Sequence, residues 1–390
     1  MKRVVVAKNI LPPYRVGFLR ELGKRCDLTL ALDAKSEDGR EWKMETEFPE
    51  MVVKILDSKA LKFQYKGAEG GLTEKRTRQL SWGLWKVLGE VRPECVVSGE
   101  LGLRTFLSAI WCKINGVPLV IWWEGTKHTE QAVKGVRLWL RKRLVQSAAR
   151  FWSNGLASRY YLEGMGIASE LIDDGMTGVD TSFFVERMPA LREQKELLWE
   201  RFHVETKPVL LFSGALSKRK GLLQLMDALA ILEEQAGSSF TCLLAGDGEL
   251  REEIEKRAAN WKTVKVVLTG FLQKEALSEC YSLADLYVLP TLEDNWALAT
   301  VESLLCGIRS LISEKNGAVE DLAVSGTEEW IFRFDPDDAE CFAQVLAKEL
   351  SQSTKRVPEE KVRELADYYS ASSQAERAFN CVQLACEDLV

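Results

Sequence analysis

The sequence has no long apolar run. The longest clean stretch near its middle, VPLVIWW (Val117 to Trp123), has seven residues, far short of a membrane span. The start, MKRVVVAKN, offers four apolar residues before a lysine, too few for the core of a signal peptide, so no targeting segment is expected. Nine cysteines are scattered, odd in number and never spaced CxxC. That argues against both a disulfide framework and a zinc site, and it predicts reduced thiols in a cytoplasmic setting. A Walker A loop, GxxxxGK[ST], is missing. So is any basic-aromatic nucleic-acid module, and the net charge is −6, so nucleic acid is not an expected partner. What remains, 46% hydrophobic and 28% charged, has the composition of an ordinary soluble globular protein. At 390 residues it is long enough for two domains.

The charge is unevenly spread. Residues 1–185 carry 29 Lys+Arg against 22 Asp+Glu, and the rest carry 23 against 36. Most of the positive excess lies in 101–150, with nine basic residues and two acidic ones. Two readings fit: a solvated helix face, or a basic surface toward anionic lipid head groups or a phosphate-bearing acceptor. RLWLRKRLVQ (137–146) and TEKRTRQLSWGLWKVLG (73–89) mix Trp or Leu with cations as interfacial helices do. A helix packing its apolar face on a sheet explains them equally well.

Strand-like and helix-like segments alternate along the whole chain, which predicts α/β architecture with parallel sheets covered on both faces. The first series of strands is RVVVA (3–7), CDLTLAL (26–32), MVVKIL (51–56), ECVVSG (94–99), VPLVIWW and ARFWS (149–153). Helical patterns fall between them over 15–25, 80–91 and 133–149. A second series starts near 207, with KPVLLFSG, FTCLLAG, TVKVVLTG, LADLYVLP and GIRSLIS. Two open α/β sheets in tandem put a ligand site beyond their strands' carboxyl ends.

SGALSKRKG (213–221) leads from a strand to a helix with glycines near both ends and three adjacent cations. Helix-start amides plus Lys or Arg suit a diphosphate, and cations are otherwise disfavoured at that end of a helix. AGDGEL (245–250) lacks the third glycine of a dinucleotide fingerprint. It fits a tight turn capped by Asp247 or Glu249 equally well. In LEDNWALATVESLLCG (292–307), the LEDN loop can cap a helix beginning near Trp296 or Ala297, with Gly307 closing it. Leu298, Val301 and Leu305 are spaced to face the core, with Glu302 at the edge of that stripe. Two acceptor oxygens on Glu302 suit a vicinal diol such as a ribose. A plain cap at Asp294 and a solvated Glu302 fit the spacing equally.

Together these segments resemble the family 4 retaining glycosyltransferases, which have the GT-B fold. DNWALATVESLLCG is similar to that family's E-x7-E motif, with Asp294 and Glu302 as the two acids. SGALSKRKG resembles its GRLxxxKG loop, and TGVDTSFF (177–184) resembles its NGVD-x-x-F linker. The likeness is close over about 205–350 and thin over 1–170.

The resemblance implies two Rossmann-like doubly wound domains facing each other across a cleft. The N-terminal, acceptor-binding domain spans 1–184, rejoined by a C-terminal helix at about 370–390; the nucleotide-sugar domain spans 185–369. It implies transfer of a sugar from a UDP- or GDP-sugar to an acceptor hydroxyl with retention. The acceptor would be a glycan, or a lipid-linked one at the inner face of a membrane. No metal or other cofactor is expected, and Asp173-Asp174 and Asp337-Asp338 read as loop and cap residues.

Residue by residue, Glu302 would hold the ribose. Asp294 and the backbone of Asn295, Trp296, Ala297 and Leu298 would hold the donor sugar and distal phosphate. Lys220 matches the family's diphosphate lysine, in a loop opened by Gly214, and Gly270, Phe271 and Leu272 would lie along the base. The family's loop arginine is Ala215 here, with Lys218 or Arg219 as substitutes. Where members often carry His-Gly the chain reads WWEG, which makes Glu124 a catalytic candidate and His128 and Arg15 acceptor-side candidates. A non-catalytic nucleotide-sugar or glycan-binding module and a sugar-nucleotide epimerase are the competing readings.

Overall fold

The apolar runs of the sequence become short, buried, parallel strands. The computed structural model describes residues 1–35, 47–66, 73–81, 83–176, 178–237 and 239–388. The chain divides into two units, Met1–Asp180 with Tyr369–Val390, and Thr181–Tyr368.

In the first unit the strands are β1 (Arg3–Lys8), β2 (Asp27–Leu32), β3 (Met51–Ile55), β4 (Ser58–Lys66), β5 (Thr73–Ser81), β6 (Cys95–Gly99), β7 (Leu119–Trp123), β8 (Arg150–Asn154) and β9 (Ile172–Gly175). Seven of them form a parallel sheet in the order β3-β2-β1-β6-β7-β8-β9. Both faces are covered, so alternate residues of one strand enter different cores. Val4 and Val6 join Phe18, Trp122 and Trp152, whereas Val5 and Ala7 join Leu84, Leu88, Trp111 and Phe151.

The C-terminal helix Ala371–Glu387 packs on the first of these faces through Ala375, Ala378, Cys381, Val382 and Ala385. Small residues at helical spacing let its backbone approach closely. A Cβ on Gly178 would lie 2.4 Å from Ala371 Cα.

The second unit contains β10 (Val209–Ser213), β11 (Phe240–Ala245), β12 (Val264–Gly270), β13 (Leu286–Leu289), β14 (Arg309–Ser313) and β15 (Ile331–Phe334). They pair in parallel in the order β12-β11-β10-β13-β14-β15. Both sheets are therefore doubly wound about their first strand. The direction of winding reverses between β1 and β6 in one and between β10 and β13 in the other, and such switch points are where open α/β sheets bind ligands.

Several expectations need correction. Residues 73–81 are not helical: β5 pairs antiparallel with β4, and the helix over this stretch begins only at Leu84. TEKRTRQLS is polar with no 3.6-residue stripe, so helical periodicity starts only with LWKVL. Asp173 and Asp174 are strand residues of β9, not loop or cap residues. They pair there with Arg150 and Arg159. Asp338 does cap the helix Ala339–Leu350, accepting from Cys341 N at 2.9 Å. Strands β9 (IDDG) and β15 (IFRF) hold too few consecutive apolar residues to stand out by pattern. Thr177, the first residue of the TGVD segment, lies outside the described residues.

Candidate functional site

The loops after β10 and β13 meet at the second unit's switch point. The β10 loop leaves through Gly214, at φ +145°, and turns at Gly221, at φ +71°. A Cβ on Gly221 would lie 1.7 Å from the Pro290 carbonyl oxygen, so only glycine lets the two loops touch there. The contact is then tied by hydrogen bonds. Leu292 N donates to Arg219 O at 2.9 Å, and the Arg219 guanidinium donates to Glu293 O at 2.8 Å. Lys220 Nζ forms an ion pair with Asp294 Oδ2, both side chains being largely buried.

The third loop of the site is AGDGEL. A Cβ on Gly246 would sit 1.8 Å from Gly214 O, and one on Gly248 2.5 Å from Leu216 O. These glycines serve backbone-on-backbone packing. Neither Asp247 nor Glu249 caps the following helix, whose N-cap is Leu250; Glu249 instead accepts from Lys218 N at 3.3 Å.

The helix after LEDN begins at Leu298, with Ala297 as its N-cap. Alanine cannot cap with its side chain, and the backbone bond that the Asp294 carboxylate accepts comes from Trp296, ahead of the helix. The capping oxygen comes from Asn316, in the loop after β14: its Oδ1 accepts from Ala297 N at 3.3 Å and Ala318 N at 3.1 Å. Gly317 N donates to Asp294 O at 3.0 Å, so the same loop braces the acid. Trp296 is buried, its Nε1 donating to Asp321 at 3.1 Å. Asn295 lies in the half-buried part of the loop.

Along the helix Val301, Leu304 and Leu305 are buried, whereas Leu298 is only half-buried. Two of the three expected core positions, Val301 and Leu305, are therefore buried, with Leu304 joining them in place of Leu298. Gly307 closes the helix at φ +72°, as expected.

Glu302 is half-buried and receives a hydrogen bond from Tyr281 OH at 3.1 Å. Tyr281 OH lies 2.9 Å from Ser213 Oγ, which lies 3.3 Å from Tyr287 OH. An ionised carboxylate only accepts, so the protons run in one direction: Tyr287 to Ser213 to Tyr281 to Glu302. That relay fixes one carboxylate oxygen and leaves Oε1 without a side-chain donor among the described residues.

The electrostatics of the two acids differ. Burial pushes Asp294 up, but Lys220 and then Arg219 outweigh it and hold its pKa below the usual value. For Glu302 burial prevails over the Tyr281 hydrogen bond, and its pKa is raised. Phe271, at 67% exposure, stands in solvent beside half-buried Leu272, and Gly270 takes φ +75°. Lys218 is exposed at the loop surface, as is Ala215.

The first unit has its own cluster at its carboxyl edge. Glu124, just after β7, accepts from Lys8 Nζ at 2.6 Å and from Arg15 Nη2 at 2.6 and 2.8 Å. Lys8, the last residue of β1, lies over the Trp122 ring at 3.6 Å. Gly99 makes the room: its Cβ would lie 2.7 Å from Lys8 Nζ.

Burial raises the Glu124 pKa, yet Arg15 and Lys8 together bring it down to about 2. Burial, reinforced by Arg15 and Arg104, lowers Lys8 to about 7 against the pull of Glu124. Sequence reasoning named Glu124 and Arg15 but missed Lys8 and Asn316. A lysine closing an otherwise apolar buried strand, VVVAK, was the available signal for the former. His128 lies in the turn after Glu124, its Nδ1 3.1 Å from Gln131 Nε2. Among the described residues no group of three His, Cys, Asp or Glu is arranged to hold a metal.

Residues 193–366, almost the whole second unit, match the family Glycosyl transferases group 1. The chain is similar to the family 4 glycosyltransferases of the GT-B fold. A sulfoquinovosyl transferase of Arabidopsis thaliana is 24% identical over 73% of this chain and 56% of its own length. A GDP-mannose-dependent phosphatidylinositol dimannoside mannosyltransferase of Mycobacterium tuberculosis is 28% identical over 60% of each. The chain thus spans little more than half the length of these curated relatives. Among solved structures, Anabaena HepE in complex with UDP superposes with a TM-score of 0.71. That match covers 98% of this chain and 100% of HepE at 17% identity, which is a likeness of fold. Within this family frame, Lys220 falls in the SGALSKRKG motif and Asp294 and Glu302 in DNWALATVESLLCG, whereas Tyr281, on the helix Lys274–Leu283, lies outside the motifs that carry the sequence likeness.

Proposed function

We propose that the chain is a retaining glycosyltransferase that moves a hexose from a UDP- or GDP-sugar to an acceptor hydroxyl. The observation that carries this reading is the meeting of Lys220 with Asp294 at the switch point, one helical segment away from the Tyr281–Glu302 pair. A nucleoside diphosphate sugar offers matching chemistry in the same order: diol, diphosphate, sugar. Glu302 accepts from the ribose hydroxyls with the oxygen Tyr281 leaves open. Asp294 orients the donor sugar's hydroxyls, supported by the backbone of Asn295 to Leu298.

Negative charge builds on the diphosphate as the glycosidic bond breaks. Lys220, Lys218 and the amides at the start of the helix Leu298–Leu305 stabilise that charge. Because these groups are built in, the reaction we propose uses neither a metal nor another cofactor. Glu124 faces the acceptor side as a carboxylate held by Arg15 and Lys8. A glycan or lipid-linked glycan is the acceptor class, and the named activities of the relatives support it.

The test is incubation with UDP- and GDP-sugars and a set of glycan acceptors, following nucleotide release and the anomeric configuration of the product. Release dependent on both donor and acceptor, with the donor's configuration kept, is expected. Inverted product would overturn retention. Ala215, where the family carries a cation, favours a second reading, a non-catalytic nucleotide-sugar binder. Tight nucleotide binding with no turnover would establish that reading instead.

A further inference from the structure

The helix Gly135–Val145 turns an apolar stripe toward solvent. Its inner side is fixed by Arg141, which pairs with Glu130 and lies 5.5 Å from the Trp123 ring, and by buried Val145. Val136, Trp139, Leu140 and Arg143, spaced i, i+3, i+4 and i+7, therefore line the outer side. The three apolar residues are 74%, 56% and 55% exposed. A surface helix ordinarily places polar residues there.

Lys134, Arg137 and Lys142 flank the stripe and are exposed as well. Arg143 lies 5.6 Å from the Trp139 ring. No acidic residue occurs between Glu130 and Glu163, although the chain as a whole is acidic. The helix Leu103–Asn115, which packs beside this one, leaves Phe106 and Ile114 exposed too.

The occupant of such a face must take up apolar side chains and carry negative charge. A second copy of the helix would set cation against cation. A nucleic-acid backbone would leave Val136 and Leu140 in water. An anionic bilayer supplies both needs: head groups for the cations, and the boundary with the acyl chains for Trp139, Val136 and Leu140. We propose that Gly135–Val145 docks the first unit on an anionic membrane surface, lying in the plane of the interface. The contact is peripheral, since no helix among the described residues is long and apolar enough to cross a membrane. The inference does not depend on the sugar-transfer reading.

The experiment is co-sedimentation of the full chain with vesicles of pure phosphatidylcholine or of phosphatidylcholine mixed with phosphatidylglycerol, at low and high salt. Binding to the anionic vesicles alone, weakened by salt, is expected. Lys142→Ser with Arg143→Ser should lower the partition coefficient about 30-fold, from the usual contribution of two surface cations. Val136→Ser with Leu140→Ser should lower it as well, and both variants should melt at the temperature of the parent. Equal binding to both vesicle types, no binding to anionic vesicles, or unchanged binding in both variants overturns the proposal. So does a dimer in the absence of lipid that either double variant dissociates, which would make the face a self-interface.

Discussion

Lys220 and Asp294, 74 positions apart in the chain, form an ion pair where the loops after β10 and β13 meet. Both side chains are mostly withdrawn from water, at 16% and 14% exposure. Removing one partner from such a pair leaves the other charge uncompensated, so its loss disturbs both loops at once.

Lys220→Met and Asp294→Asn are each expected to lower kcat/KM by about 100-fold or more, the scale for losing a built-in electrostatic group. The double variant should fall well short of the product of the two, because each single change already breaks the same unit. Steady-state kinetics of all four forms checks this, and simple multiplication of the two effects would separate the residues' roles. Asp294 also contributes stability above its unfolded pKa that is lost as pH falls through its depressed folded value. Lys220→Met should make that acid loss set in at a higher pH.

Glu302 behaves in the opposite sense. Its folded pKa is raised by burial, so between the unfolded value, about 4.3, and the folded one the native state holds the extra proton. Stability from this group therefore falls as pH rises through that window. Donor affinity should rise over the same window, because only the carboxylate accepts from both ribose hydroxyls. Glu302→Gln is expected to flatten both trends. It should also reduce discrimination between UDP and its 2′-deoxy analogue by about 10-fold or more, the worth of a hydrogen bond to a charged group. Calorimetric titration across pH checks both points, and undiminished discrimination in the variant would remove Glu302 from the ribose.

The features legible in the sequence were those with a local signature. Eleven of the strands announced themselves as apolar runs, and Asp294, Glu302 and Lys220 stood in recognisable spacings. What was hidden depends on distant partners. Asn316 caps the helix Leu298–Leu305 from another loop, and nothing within LEDNWALA indicates that its cap is borrowed. Lys8 falls just past the apolar run RVVVA, and only the fold places Glu124 against it. The antiparallel pair β4–β5 escaped because SKALKFQYK and TEKRTRQLS hold no continuous apolar run in the sequence.

Arg15 should matter more than Lys8 in holding Glu124. Lys8 has a pKa of about 7, so near neutrality it shares the carboxylate only part of the time, whereas Arg15 stays charged and contacts both oxygens. Arg15→Met is expected to cost about 3–5 kcal/mol, as for a broken buried pair, and Lys8→Met distinctly less. Below its unfolded pKa the Glu124 contribution should fade as pH drops toward about 2. From about pH 7 to about pH 10, where unfolded Lys8 binds more protons than folded Lys8, the parent should gain stability relative to Lys8→Met. Denaturant unfolding at several pH values measures these differences, and equal losses in the two variants would contradict the ranking.

Of the two candidates to replace the cation missing at Ala215, the proposed diphosphate ligand is Lys218. Arg219 is already used: its guanidinium donates to the Glu293 carbonyl and its own carbonyl accepts from Leu292 N. Its loss should loosen the Leu292–Asp294 loop, showing as a lower melting temperature together with weaker donor binding. Lys218 is exposed at the same turn, so Lys218→Ala should leave the melting temperature in place and weaken UDP binding several-fold, more steeply at low salt because an exposed cation is screened. Ala215→Arg adds a cation at an exposed position and should restore UDP affinity in the Lys218→Ala background. If Lys218→Ala leaves UDP affinity unchanged while Arg219→Ala abolishes it at an unaltered melting temperature, the assignment is reversed and Arg219 is the diphosphate ligand.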